Sequence, residues 1–458
     1  MTDQLAPPRP PAAAITRGAR VIALVALSLT FGLVQLDATV VTVALDAVGR
    51  DLGGGVGLTQ WLVDAYAVPF AALLLLGGAA GDRFGHRRTC VAGFALFALA
   101  SVPAALAPGW AVLLPARALQ GAGAALMLPA SLALLGELYP EPRERARALG
   151  VWGGIATTGF ALGPVVGGVL VSTLGWPAIF WLNVPVALVV GVVIARFAPA
   201  DRRSARRLDR SGTLLAVAGL TAVVGGVIAA GQGAVPTTLV LLVVAVALAA
   251  AFVTVERRAE SPLLPASVIT APGLHWTLVT GFAFNFAMYG GLLCVSLTLQ
   301  QSQGLGPLAT GLAVLPMALL VLGGATASGY LTAALGPRRP MVVGLLLGTG
   351  GTVVLAAGGA AGSTAGIVAG LTAIGLLSLC MPAMTSVALG AVPRDRTGLA
   401  GGALNTTRQM GGALGVAIMG AMVNGMGGRT GLTVAALVAG GVLLAGCAAA
   451  VAATRVSA

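Results

Sequence analysis

Cut at its clusters of arginine, proline and glycine, the chain falls into apolar runs, about fourteen of them, each near the roughly 20 residues that a helix needs to cross a bilayer core. The runs lie near 20–44, 59–81, 89–108, 110–135, 147–173, 177–197, 211–231, 236–255, 274–300, 308–333, 340–360, 364–390, 399–424 and 430–453. This pattern predicts an all-α membrane protein of about fourteen transmembrane helices.

The polar residues between the runs test that division independently, because short cytoplasmic loops carry an excess of Lys and Arg. With the N-terminus placed inside, every other loop does so: DRFGHRR (82–88), RERAR (143–147), RRSARRLDR (202–210), ERR (256–258), PRR (337–339) and PRDR (393–396). Of 26 basic residues only Arg50 and Arg429 fall outside, while Arg117 and Arg408 fall within spans. A wrong span count would scramble this alternation, so the pattern also predicts that both termini are cytoplasmic.

The spacing predicts two six-helix halves. A Pro/Ala-rich cytoplasmic tail (1–19) precedes an N-terminal bundle (20–197), an Arg-rich linker (198–210), an inserted helix pair (211–255), a second linker (256–273) and a C-terminal bundle (274–453). The glycine-arginine loop after the second span recurs in weakened form after the tenth, which is the mark of an internal repeat.

Composition narrows the classes. Of 458 residues, 57% are hydrophobic and only 9% charged, too few charges for a water-facing surface. The formal charge of +12 sits between apolar runs rather than on one basic face, so it reads as topology and argues against nucleic acid as a partner. Cys90, Cys294, Cys380 and Cys447 lie apart inside apolar stretches, without the clustering that a metal or disulfide needs. The chain has no Lys and therefore no GxxxxGK[ST] loop, which excludes ATP-driven pumping by this chain. No cofactor is expected, and no cluster for a membrane-embedded enzyme is visible.

Several charged and glycine-rich positions carry candidate chemistry. GAAGDRFGHRR places Gly78, Asp82, Arg83, Gly85, Arg87 and Arg88 in the second loop; Gly85 can turn the chain, and Asp82 can pair with arginines or cap a neighbouring helix. Such a latch can open and close as the halves rock, or serve as a static anchor on anionic headgroups. Arg117, in LLPARALQGAG, lies roughly eight residues below the outer end of its helix. There it must face water or an acid, with Gln120 and Gly121 on the same side. Asp37 (VQLDATVVTVAL) sits at a similar depth and Asp64 (QWLVDAYAV) somewhat nearer the outer mouth. Removal from water favours a neutral carboxyl and an adjacent arginine favours its anion, so the three groups can exchange a proton for a substrate. Asp64 can alternatively do no more than pair with Arg117. In GFALGPVVGG, Gly159, Gly163 and Gly167 stack on one face beside Pro164 and Gly168, allowing another helix to approach backbone to backbone.

These motifs together resemble the major facilitator superfamily. The first loop matches its GxxxDRxGRR except at His86, while the second copy, GYLTAALGPRR, keeps Gly329, Gly336, Arg338 and Arg339 but has Ala333 in place of the acid. RxxQGxG around Arg117 resembles the span-four motif associated with proton coupling, and GFALGPVVGG resembles the antiporter motif that marks exchangers rather than importers. LDATVVTVAL, TQWLVDAY, WPAIFWLNVP (176–185) and GLAGGALNTTRQMGGALG (398–415) are similar to the fourteen-span drug:proton antiporter family, departing at Thr42 (usually Asn) and Asp46 (usually Pro).

The resemblance implies a monomeric inner (plasma) membrane exporter that exchanges protons for small lipophilic drugs by alternating access. The alternative is proton-coupled uptake or export of a specific metabolite. Asp64, Tyr66 and Gln120 are substrate-facing candidates in the first half. In the second half the candidates are Asn285, Phe286 and Tyr289 of GFAFNFAMYGG, with Asn405 and Arg408, although that aromatic stretch can equally be packing. His86 and His275 are read as headgroup or loop contacts near the cytoplasmic face. The only acid beyond about residue 274 is Asp395, in a loop, so neutral or monocationic substrates are expected.

Overall fold

The computed structural model describes residues 16–54, 56–199, 210–259, 271, 273–392 and 397–456. The PRDR loop (393–396), nearly all of the linker 198–210 and most of the tail and of the second linker lie outside them.

All fourteen apolar runs are helices. In the first half these are α1 (Arg17–Val40), a 3-10 turn (Val41–Val43), α2 (Leu45–Leu52), α3 (Val56–Phe84), α4 (His86–Ala105), α5 (Trp110–Leu138), α6 (Pro142–Leu174) and α7 (Pro177–Phe197). Helices α8 (Arg210–Gly231) and α9 (Val235–Arg258) follow. The second half follows as α10 (Leu274–Leu297, running into a π turn, Thr298–Ser302), α11 (Pro307–Leu335) and α12 (Arg338–Ala361). One further span is split into α13 (Thr364–Ile374) and α14 (Cys380–Gly390) by a 3-10 segment; α15 (Thr397–Gly425) and α16 (Gly428–Val456) complete the chain. Among the described residues there is no strand. Thirteen segments among the described residues are long and apolar enough to cross a membrane. The fourteenth, α15, is as long, at 29 residues, but carries the polar run Asn405–Gln409.

One short element was not legible in the pattern. Residues 45–52, between the first two apolar runs, form α2 after the 3-10 turn. Asp46 stands in its first turn, where a helix favours negative charge, and pairs with Arg50 one turn on at 2.7 Å.

The halves repeat one another in their pairings. In the first, α1 packs on α6, α3 on α5 and α4 on α7; in the second, α10 packs on α15, α11 on the split span and α12 on α16. Across the midline α3 meets α15 and α6 meets α11. Helices α8 and α9 pack on each other, and α8 also lies against α3 and α15, outside this repeated scheme. Helix α9 shows an almost continuous apolar face to its surroundings, as a helix in lipid does.

Candidate functional site

Arg117 lies two turns into α5, wholly buried, with Nη1 and Nε engaged and Nη2 without a hydrogen-bond partner among the described residues. Its Nη1 is 2.7 Å from Asp37 Oδ2 and also donates to Gln120 Oε1 at 2.9 Å, while Nε donates to the Leu62 carbonyl at 3.2 Å. The guanidinium lies 4.5 Å from the centre of the Tyr66 ring and 5.8 Å from that of Phe180. Gln120 passes the network on, donating to Ser101 Oγ of α4 at 2.8 Å. Asp37 is also fully buried, and its second oxygen accepts from Asn183 Nδ2 of α7 at 2.6 Å. Four helices thus converge on one ion pair.

Small residues make this convergence possible. A Cβ on Gly121 would stand 3.2 Å from Tyr66 Cα, so α5 and α3 touch backbone to backbone there. Gly123 does the same against Gly93 and Phe97 of α4, which brings Ser101 to Gln120. On the other side α6 lays its glycine row along α1: Gly159 on Gly32, Gly163 on Leu36 and Thr39, Gly167 on Val40 and Val43. Thr39 Oγ1 closes this groove by donating to the Phe160 carbonyl at 3.2 Å. The motif around Gly163 therefore holds the helix that carries Asp37. Gly168 and the Pro164 carbonyl face the other half instead, against Pro307, Leu308 and Gly311 of α11.

Asp64 does not join the pair, so the reading in which it partners Arg117 is not realised. It is wholly buried and neither carboxylate oxygen has a hydrogen-bond partner among the described residues. The reason is helical phase. Leu62 and Tyr66 face Arg117, and Asp64, two residues from each, points nearly opposite, with Gln60 and Val68 one turn away on its own side. Gln60 Nε2 donates to the Ala417 and Val416 carbonyls of α15 at 2.6 and 3.2 Å, and Val68 packs with Ala417, Val224 and Leu220. Asp64 therefore lies on the face that α3 turns towards α15 and α8.

The second half places Arg408 of α15, buried, against α10. Its Nη2 is 3.4 Å from Asn285 Oδ1, its Cζ is 5.3 Å from the centre of the Phe284 ring, and Asn285 donates to Gln409 Oε1 at 3.3 Å. Tyr289 packs edge-on against Phe160, and its hydroxyl donates to Gln35 Oε1 at 3.1 Å, joining α10 to α1 and α6. Asn405 lies half-buried one turn from Arg408, and Phe286 is buried, stacked on Phe282 with its backbone against Gly415. Tyr66 and Gln120 belong to the Arg117 network rather than to this surface.

In the loop between α3 and α4, Gly85 takes φ 102°, a conformation that favours glycine, and turns the chain sharply. His86, where the facilitator loop motif has Arg, sits 3.5 Å from Asp82 through Nε2. Arg83 lies over Phe84, 5.4 Å from its ring centre. Sequence reasoning missed Asn183, although it quoted the WPAIFWLNVP stretch; the only signal was an amide inside an apolar helix.

Comparisons with known proteins agree with this architecture. Residues 27–416 match the family model described as Major Facilitator Superfamily. The chain is 35% identical over 412 residues to the multidrug resistance protein Stp of Mycobacterium tuberculosis, covering 88% of this chain and 76% of that protein. It is 38% identical over 411 residues to the puromycin resistance protein pur8 of Streptomyces alboniger (86% and 80%). The tetracenomycin C resistance and export protein of Streptomyces glaucescens is 35% identical over 407 residues (87% and 75%). A solved bacterial homologue of the human lysosomal transporter Spinster shares the fold, with a TM-score of 0.66 at 18% identity over 96% of this chain and 98% of that one. With its repeated helix pairings and a family match over most of its length, the chain belongs to the Major Facilitator Superfamily.

Proposed function

We propose that this chain exports small lipophilic drugs or antibiotics, neutral or monocationic, across the plasma membrane in exchange for protons. It moves them unchanged, as a monomer with both termini cytoplasmic. The observation that carries the reading is the Asp37–Arg117 pair, which is wholly buried and held directly by groups of α1, α3, α5 and α7. Protonating Asp37 cancels one charge of the pair and leaves a buried guanidinium uncompensated, a strongly unfavourable state that a rearrangement of α1 and α5 relieves. Proton binding is thereby coupled to helix packing.

The bundles 20–197 and 274–453 rock against each other, with linkers 198–210 and 256–273 carrying the inserted pair 211–255. The contacts of Gln60 with α15, of Gly168 with α11 and of Tyr289 with Gln35 close the outer side. The glycine row on α6 and the resistance and export roles named for the relatives favour export over uptake.

Cells with and without the protein, loaded with ethidium, test the reading. Lower ethidium accumulation in the expressing cells, reversed by a protonophore, is the expected result. Equal accumulation, or a difference that a protonophore leaves intact, overturns it.

A further inference from the structure

Each half buries one arginine in a span, and the two are satisfied very differently. Arg117 has an acid, an amide, a carbonyl and two aromatic rings around it, with its Nη2 without a hydrogen-bond partner among the described residues, so what sets it apart is its counter-charge. Arg408, only 9% exposed, makes two long contacts through Nη2, 3.4 Å to Asn285 Oδ1 and 3.8 Å to Met381 Sδ, and its Nε has no partner among the described residues. No described carboxylate lies within ion-pair distance of it. A guanidinium has five N–H donors, and burying it without a counter-charge is strongly disfavoured.

The surroundings hold it in place all the same. Gly411 and Gly415 bring α15 onto the backbones of Phe282 and Phe286, and a Cβ on Gly281 would lie 2.9 Å from Arg408 Cγ, so the missing side chain makes room for the arginine stem. Around the head group are a ring face (Phe284), a thioether (Met381) and the Asn285 amide, which in turn donates to Gln409. This is a planar fork of donors on an apolar bed, a geometry complementary to a carboxylate on a lipophilic body.

We propose that Arg408, with Asn285 and Gln409, is a subsite for an ionised carboxylate carried by the transported compound. The inference rests on the export reading and narrows its substrate class to include net-neutral zwitterions, in which a carboxylate balances a cationic group. The bound carboxylate supplies the counter-charge that the second half does not provide from its own described side chains.

Rhodamine B, a zwitterion with a free carboxylate, and its ethyl ester, a monocation, form the test pair, with binding to the purified full-length chain read by fluorescence anisotropy. Wild-type protein is expected to bind the acid about tenfold more tightly than the ester, the effect of one charge-assisted contact. Arg408→Gln is expected to abolish that preference. Asn285→Asp, which places an internal carboxylate beside Arg408 with little change of size, is expected to abolish it too, and serves if Arg408→Gln does not fold. No preference in wild-type protein, or a preference retained in either variant, overturns the inference. Ethidium efflux separates the two readings: efflux without carboxylate preference sinks only this subsite, whereas absent efflux with neither dye bound sinks the export reading as well.

Discussion

Asn183 Nδ2 lies 2.6 Å from Asp37 Oδ1, on the carboxylate oxygen that Arg117 leaves free, so α7 and α5 grip the same acid from two sides. A carboxylate held this way has both oxygens occupied and a fixed orientation. Replacing Asn183 by Leu leaves one buried oxygen without a partner, a loss of about 1.5–3 kcal/mol for a hydrogen bond to a charged group. A lower melting temperature in detergent and a shifted pH profile of efflux are expected. An unchanged pH profile would reduce Asn183 to a packing residue.

Removing either member of the ion pair has unequal structural consequences. Arg117→Ala strands a buried carboxylate, which can take up a proton, whereas Asp37→Asn strands a guanidinium, which cannot lose one; the first is expected to destabilise the protein by about 3–5 kcal/mol and the second by no less. Both variants are expected to insert in the membrane and to lose pH-driven transport. Thermal melts together with efflux in an imposed pH gradient check this, and wild-type coupling in both would remove the pair from the mechanism.

Gly163 tests the groove between α6 and α1. A Cβ there would stand 2.9 Å from Thr39 Cβ and 3.1 Å from the Leu36 carbonyl, so Gly163→Leu must push α1, and Asp37 with it, away from Arg117. Loss of efflux with normal membrane insertion is expected. Gly153→Ala on the same helix meets nothing within 4 Å and is expected to be silent. Equal activity of the two variants would contradict the groove's role.

Asp64 has no hydrogen bond to lose among the described residues, so Asp64→Asn is expected to leave the melting temperature at or above that of the wild type. Its effect belongs in transport, with export of monocations weakened more than that of neutral compounds. A marked drop in stability would mean that Asp64 has a structural partner in another conformation, and equal loss for both compound classes would deny it a role in charge selection.

The limits of sequence reasoning show at these same residues. All fourteen spans were legible, because hydrocarbon imposes length and apolarity on each segment separately and arginine sorts the loops. That Arg117 needed either water or an acid also followed from the sequence, since an unpaired guanidinium in a span is costly. Depth counting set Asp37 level with Arg117 and Asp64 somewhat nearer the outer mouth, while leaving open that Asp64 pairs with Arg117. Gly163 was legible as a packing residue, whereas its partner, α1 of the same half, was not.

What the sequence alone determined about this protein is therefore the set of terms that each helix obeys by itself: its length, its place among fourteen, its charged residues and its glycine rows. What only the tertiary structure decided is which side chains meet. Helical phase about α3 turns Leu62 and Tyr66 to Arg117 and Asp64 away, and the packing of α7 delivers Asn183 to Asp37 across 146 positions of chain. The α10–α15 contact leaves Arg408 with donors unfilled. Such pairings depend on the rotation of one helix about its axis relative to another, a quantity fixed by the interlocking of many small side chains and carried by no single segment.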